Sequence, residues 1–434
     1  MATEQKILID KSPGETRVAV IIGGRLAQLS IERSIRPWMR GAIVCAKITA
    51  IRKELRAAFV DLGETTGYME IKTGQLVREG DSVIVEVISE PHQDKSARVS
   101  QSIAFRGPFI NVLPKQSERS ISRKIKAKRQ RNLIKDFIKA NVPDQVGVHI
   151  KSSFDIDDLC SMRTELKKQL ANWNKLKEFS ETGPSPKVFS PAPGPVDFAV
   201  KNYQDATIDE GKDGSVFNEY KIDFQIEKAL ERRVILDSGA HLIIDELEAL
   251  TSIDIDIASH KMAITHPFFF AEQLGQEIYW QLRLRDIAGL ILIDFPRWKD
   301  LKIRDQFVAV LKALAGSDDK PLVVHGWTKT GLLEITCSRV AWTLKEILLG
   351  TLGDDSALLE TAGLKLLRRL ISETKGIAYP KVLCSSQIKA IINGPLQKNF
   401  SEVTKRLGTK IELIEDPNFT RESFEIINGS EGII

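Results

Sequence analysis

The chain is 434 residues long with 42% hydrophobic and 28% charged side chains, an ordinary balance for folded proteins that argues against a disordered or fibrous one. At roughly 150 residues per domain that length accommodates about three domains. With 62 Lys and Arg against 58 Asp and Glu, the formal charge of +4 is too small to name a partner, and four scattered cysteines without a CxxC pair argue against a disulfide scaffold or a four-cysteine zinc site.

No apolar run approaches the length of a membrane span, and Met1 to Lys6 has no apolar signal core, so a cytoplasmic protein is expected. Residues 5–33 read as two or three short strands turning at Gly23-Gly24. From Gly41, five β-type segments follow: Ala42 to Ile51, Ala57 to Leu62, Gly67 to Ile71, Ser82 to Ile88 and Ala97 to Ser102. Five short strands in so little chain predict a small closed barrel of the OB kind. Phe59 and Tyr68, near Lys47, offer stacking surfaces of the type that holds single-stranded nucleic acid; the pattern alone also allows Phe59 as core. Arg119, Arg123, Lys124, Lys126, Lys128, Arg129, Arg131 and Lys135 form a basic run that no acid interrupts, the charge footprint of a nucleic-acid contact.

Helices are expected over Leu133 to Ala140 and Ile156 to Phe179, then a proline-rich stretch from Ser180 to Pro195 and a polar loop from Asp205 to Asp213. Beyond it the pattern becomes α/β. Helices are read at Glu219 to Arg232, Phe270 to Arg285, Leu301 to Ala315 and Glu334 to Leu349, and strands at Ala240 to Asp245, Leu250 to Ile257, Leu290 to Asp294 and Pro321 to His325. The last part reads helix (Leu358 to Ser372), strand (Lys381 to Cys384), helix (Gln387 to Leu396), strand (Ile411 to Glu415).

The alternation Ser252-Ile-Asp-Ile-Asp-Ile257 puts Asp254 and Asp256 on one strand face, and Leu290-Ile-Leu-Ile-Asp294 ends an apolar strand in a carboxylate. If the strands are neighbours, the three carboxylates meet at a crevice suited to Mg²⁺ or Mn²⁺; the alternative is a turn-capping Asp294 beside a solvated face. The histidines show no HExxH spacing, and GxxxxGK[ST] and GxGxxG are absent, so zinc-hydrolase and nucleotide-binding motifs are missing.

Gln281-Leu-Arg-Leu-Arg-Asp286 followed by Leu290 to Phe295, Glu248-Ala-Leu-Thr-Ser-Ile-Asp-Ile-Asp256, and Gly331-Leu-Leu-Glu-Ile-Thr336 with Arg339 resemble the ribonuclease E/G family. Upstream, Arg56 to Gly63, Arg78 to Val85 and Ile121-Ser-Arg-Lys-Ile125 are similar to that family's RNA-binding region. The resemblance implies an α+β multidomain chain: an RNase H-like and DNase-like α/β nuclease core, an inserted five-stranded OB-fold barrel and a small C-terminal α/β domain. The corresponding segments are 1–34 with 180–229 (RNase H-like), 35–113 (OB-fold), 114–179 (basic, 5′-sensor-like), 230–350 (nuclease) and 351–434 (C-terminal).

It further implies that Asp254 and Asp294 hold magnesium, that Asp256 stands where the family has an asparagine positioning the scissile phosphate, and that Phe59 and Tyr68 contact RNA. Lys151 and Ser152 stand where the family senses a 5′-monophosphate with Arg and Thr, and Lys supplies a point charge rather than a fork. Arg283, Arg285, Lys329 and Arg339 are candidate phosphate clamps, although two arginines two apart on a helix do not share a face. The zinc-link motif is missing, Leu349 to Leu358 reading LGTLGDDSAL, so no zinc is expected and a homodimer would have to form without it. The polar stretch after the first aspartate is replaced by Ser259 to Ile264. The expected function is a magnesium-dependent endoribonuclease acting on single-stranded RNA in processing or decay; the alternative is an RNA-binding protein without catalysis.

Overall fold

The computed structural model describes residues 4–428 except 73, 75, 93–94, 123, 155–157, 238, 258–264, 296–299, 317–321, 352–353, 355, 375–376 and 378. The chain forms two compact units, one from Trp38 to Pro193 and one from the residues up to Pro37 together with those from Gly194 onward. Both crossings fall at prolines. Among the described residues, no helix is long and apolar enough to cross a membrane.

In the Trp38–Pro193 unit the expected barrel is present. Ile43–Arg52, Ala57–Asp61, Thr66–Glu70, Ala97–Ser100 and Ser82–Ser89 pair in that order, and the last closes onto the first. Each strand alternates, so Val44, Ala46, Ile48, Ala58, Val60, Met69, Val85, Val87, Ala97 and Val99 fill the interior. Small residues make the closure fit: a Cβ on Gly67 would lie 2.8 Å from a Val60 methyl. Lys187–Ser190 adds a strand beside Ile43–Arg52. After the barrel, four short strands (Phe105–Arg106, Ile110–Leu113, Arg119–Ile121, Gly147–Ile150) and the helices Lys128–Asn141 and Leu159–Glu181 share a separate core around Ile110, Val148, Ile134 and Met162.

The other unit opens with a meander, Gln5–Ser12, Glu15–Ile22 and Arg25–Arg33, turning at Gly14 and at Gly23-Gly24 in positive-φ conformations. Thr207–Lys212, expected as a loop, is a strand parallel to Gln5–Ser12. It is an edge strand with mostly exposed side chains, so its backbone pairing leaves no apolar alternation to read. Its sheet carries a buried ionic network. Arg17 bonds Asp10 (2.7 Å) and Asp223 (2.7 Å), while Arg33, 1% exposed, bonds Glu15 (3.0 Å), Glu360 (3.2 Å) and Thr361 (2.8 Å). Arg368 also pairs with Glu15. The Arg33 and Arg368 bonds fasten the meander to the helix Ser356–Glu373, and Arg17 fastens it to the helix Ile222–Leu230.

A six-stranded sheet follows, in the order Arg233–Ile235, His241–Glu246, Thr251–Asp256, Gly289–Asp294, Leu332–Cys337, Leu322–Trp327. Thr251–Asp256 and Gly289–Asp294 run parallel and the other neighbours antiparallel. Helices Pro267–Leu284 and Leu301–Ala315 cover one face, packing Phe270, Leu274, Ile278, Phe307 and Leu311 against Ile253, Ile255, Ile291, Ile293 and Ile335. The expected single helix from Glu334 to Leu349 is instead a strand, Leu332–Cys337, and a short helix, Leu344–Leu349. Leu333, Ile335 and Cys337 are buried at every second position, a strand period, and the Thr343–Glu346 capping box starts the helix later. The helix read from Glu219 to Arg232 is broken at Lys221, whose φ is +53°, into Ser215–Glu219 and Ile222–Leu230. The C-terminal part is a three-stranded sheet (Glu412–Glu415, Pro380–Cys384, Phe424–Asn428) under Ser356–Glu373, Ser386–Asn393 and Gln397–Leu407.

Candidate active site

Ile253 and Ile255 of Thr251–Asp256 point into the core, so Ser252, Asp254 and Asp256 leave the opposite face. The parallel register sets Asp294 directly beside Asp254. Neighbouring strands lie about 4.8 Å apart, so the two carboxylates emerge side by side, and both are exposed. Asp294 ends its strand; Phe295 after it turns into the core against Phe307 (4.6 Å) and Trp327 (5.5 Å), which fixes where the chain leaves the sheet. Asp256 is exposed at the end of its own strand, opposite His241.

Two adjacent carboxylates repel unless solvent or a cation compensates. A hard divalent ion suits the pair, since Mg²⁺ commonly takes one or two carboxylates and completes its shell with water and substrate phosphates. Among the described residues no group of three or more His, Cys, Asp or Glu is gathered for a metal, so the chain presents an open pair rather than a closed cage.

Asp294 pairs with Leu332, so the turn before Leu332 stands at the carboxylate end of the sheet. It is fixed by Gly331 N–H donating to Thr328 O (3.0 Å) and Leu332 N–H to Thr328 Oγ1 (3.0 Å), and Lys329 is exposed on it. Arg304, a basic residue the sequence reading missed, lies by the same turn with its guanidinium 4.4 Å from the Trp327 ring centre. The other proposed clamps stand elsewhere. Cys337 pairs with Gly289, so Arg339 follows the far end of that strand, where it bonds Glu346 (2.9 Å). Arg283 bonds the Tyr203 hydroxyl (3.1 Å). Arg285 is 3% exposed and fastens the helix end, bonding Gln281 (3.0 Å) and the Glu231 carbonyl (2.8 Å). Burial lowers its pKa from the ordinary value, with Glu246 and Glu231 opposing. Both arginines precede Gly289 and so sit at the end of the sheet away from Asp294.

On the barrel, Phe59 and Tyr68 are cross-strand partners, half-buried on the outer surface, with ring centres 6.0 Å apart at 74°. Tyr68 in turn pairs with Arg98, which is exposed and was missed by the sequence reading. Lys47 is exposed on the same barrel, opposite Asp61. The basic run divides by use. Arg119 donates to the Val142 and Pro143 carbonyls, and Arg131 to those of Ser122 and Ile125, whereas Lys124, Lys126, Lys128, Arg129 and Lys135 are exposed. Lys151 donates to the Gly107 carbonyl (3.1 Å), and Ser152 is exposed. Arg123 and the 259–264 stretch lie outside the described residues.

Comparison with known proteins agrees with these features. Ribonuclease G of Salmonella typhimurium (strain SL1344) is 24% identical over 494 aligned residues, covering 97% of this chain and 99% of that protein. Ribonuclease G of Escherichia coli (strain K12) is 23% identical with the same coverage. Ribonuclease E of Haemophilus influenzae is 26% identical, covering 96% of this chain and 51% of that longer protein. The family model described as Ribonuclease E/G family matches residues 104–211 and 197–340, together just over half of the 434 residues. With its barrel, its aspartate pair and this match, the chain belongs to the ribonuclease E/G family.

Proposed function

We propose that this protein is a metal-dependent endoribonuclease that cuts single-stranded RNA internally. The observation that carries the reading is the pairing of Asp254 with Asp294 at the ends of parallel strands, on a sheet face the helices leave open. Membership of a family whose relatives are named Ribonuclease G and Ribonuclease E supports the reaction class. Asp254 and Asp294 would hold one Mg²⁺, with Mn²⁺ as a substitute, Asp256 flanking them. Bound there, the ion supplies polarisation of the phosphodiester and a lower pKa for the attacking water, leaving 5′-phosphate and 3′-hydroxyl ends.

The chain's own residues supply the rest. Lys329 offers positive charge at the carboxylate end, and the outer barrel face offers Phe59 and Tyr68 for base stacking with Arg98 and Lys47 for backbone phosphates. The barrel's order, first-second-third-fifth-fourth and back to first, supports an OB-fold. The sheet with the aspartates is read as the DNase-like core and the sheet of the opening meander with Thr207–Lys212 as the RNase H-like part, acting in processing or decay of ribosomal or messenger RNA in the cytoplasm.

The test is cleavage of a 5′-monophosphorylated, AU-rich single-stranded RNA across a Mg²⁺ titration. Internal cleavage that saturates with Mg²⁺ is expected. Salt-sensitive binding without cleavage under any divalent ion would overturn the reading and leave an RNA-binding protein. On the barrel, Phe59→Ala and Tyr68→Ala are each expected to weaken binding by about 1–3 kcal/mol, the worth of one base stacked on an aromatic ring. Arg98→Ala should instead reduce the salt slope of binding by about one phosphate contact, measured by fluorescence anisotropy at several salt concentrations.

A further inference from the structure

We propose that His241 contacts the substrate at this site, donating a hydrogen bond from Nε2–H to a backbone phosphate oxygen of the RNA. This rests on the endoribonuclease reading above. Leu242 and Ile244 are buried in the sheet core, so His241 lies on the open face with Asp254, Asp256 and Asp294. Its partner in register is Asp256, and directly opposed residues carry their Cβ atoms about 4.5–5.5 Å apart. Asp254, one pair further along, faces Ile243, which has no donor to offer.

The chemistry then selects His241. An ionised carboxylate and a phosphate oxygen both only accept hydrogen bonds, so Asp256 cannot itself bond the phosphates of a strand laid across this face. A donor beside it can. The His241 ring is half-buried, and its Nδ1 is buried with no hydrogen-bond partner among the described residues. A buried N–H without an acceptor is a rarer and more costly state than a bare lone pair, so the neutral ring carries its proton on Nε2. That tautomer turns the ring into a donor whose other nitrogen is sealed in the fold. Lys329 stands beyond the Asp294 side of the carboxylate pair and His241 beyond the Asp254 side, so a backbone crossing the sheet meets a donor on each flank.

Two measurements test this together. The first follows hydroxyl-radical oxidation of the His241 ring, read by peptide mass spectrometry, with and without a 2′-O-methyl oligouridine and Ca²⁺ in place of Mg²⁺. The second is kcat and KM for cleavage by wild type, His241→Phe, His241→Gln and Asp294→Asn. The oligonucleotide is expected to slow modification of His241 several-fold in both wild type and Asp294→Asn. His241→Phe should lower kcat/KM on the order of tenfold or more, the loss of one charge-assisted bond, and His241→Gln should recover most of it through its amide donor. Modification at the same rate with and without oligonucleotide, or cleavage by His241→Phe at the wild-type rate, overturns the proposal. Protection of His241 in a wild type that never cleaves would instead sink the nuclease reading while the contact stands.

Discussion

Asp294→Asn is expected to lower kcat for RNA cleavage about a thousandfold or more while leaving the protein folded. The electrostatic help from a bound divalent ion is several kcal/mol, and each 1.4 kcal/mol is about a factor of ten in rate. Asparagine keeps the shape of aspartate but not its charge, so a metal held by the pair would lose half of its anionic cradle. Asp294 is exposed at a strand end, and its loss opens no cavity. RNA affinity should hold or rise, because the change removes a negative charge facing a polyanion. Higher Mg²⁺ should restore part of the rate by mass action if Asp254 still binds. Undiminished cleavage by Asp294→Asn and Asp254→Asn alike would place the chemistry elsewhere.

The second large effect is on stability. Arg33→Ala should cost about 3–5 kcal/mol, because it strips a partner from the buried Glu15 and the half-buried Glu360 rather than deleting a surface pair. The readout is the midpoint of urea unfolding. The pH dependence has a definite sign. Burial alone would raise the Glu15 pKa, but Arg368, Arg33 and Arg17 outweigh it and hold that pKa below the ordinary 4.5. A lowered carboxylate pKa stabilises the fold above the unfolded value, and the contribution fades as pH falls through the folded one. Wild type should therefore lose this stability only below pH 4.5. In Arg33→Ala one of the opposing charges is gone and burial weighs more, so acid unfolding should begin at higher pH.

Much of this was legible in local pattern. The five barrel strands announced themselves because Gly63 and Gly80 interrupt alternating runs, and an apolar strand ending at Asp294 is visible in six residues. What could not be read was anything decided by a distant partner. Asp254 and Asp294 meet only because their strands are neighbours, a condition the sequence could pose but not answer. Arg98 joins Phe59 and Tyr68 through a parallel pairing about thirty residues away, and His241 reaches the site only through the register opposite Asp256. Thr207–Lys212 carries almost no apolar signal because its order is imposed by Gln5–Ser12. Nothing local marks Glu15 and Arg33 as buried, because their partners Glu360 and Arg368 come from the helix Ser356–Glu373, more than 300 residues on. The Glu334 segment was mistaken for helix because a short apolar run does not declare its period until the sheet beside it is known.

The parallel pairing of Lys6 with Thr207 has a consequence for how the chain is made. During synthesis the first strand emerges about 200 residues ahead of its partner, a delay of roughly 10 to 40 s at the usual rates of elongation. The Trp38–Pro193 unit is complete within that interval and contains its own barrel core, so nothing in its sheets has to wait for later chain. The opening meander, by contrast, must stand with one edge bare until the ribosome delivers residues 207–212. Birth order thus leaves the nascent chain with an unpaired strand edge just when an already folded neighbour separates it from the segment that will cover it.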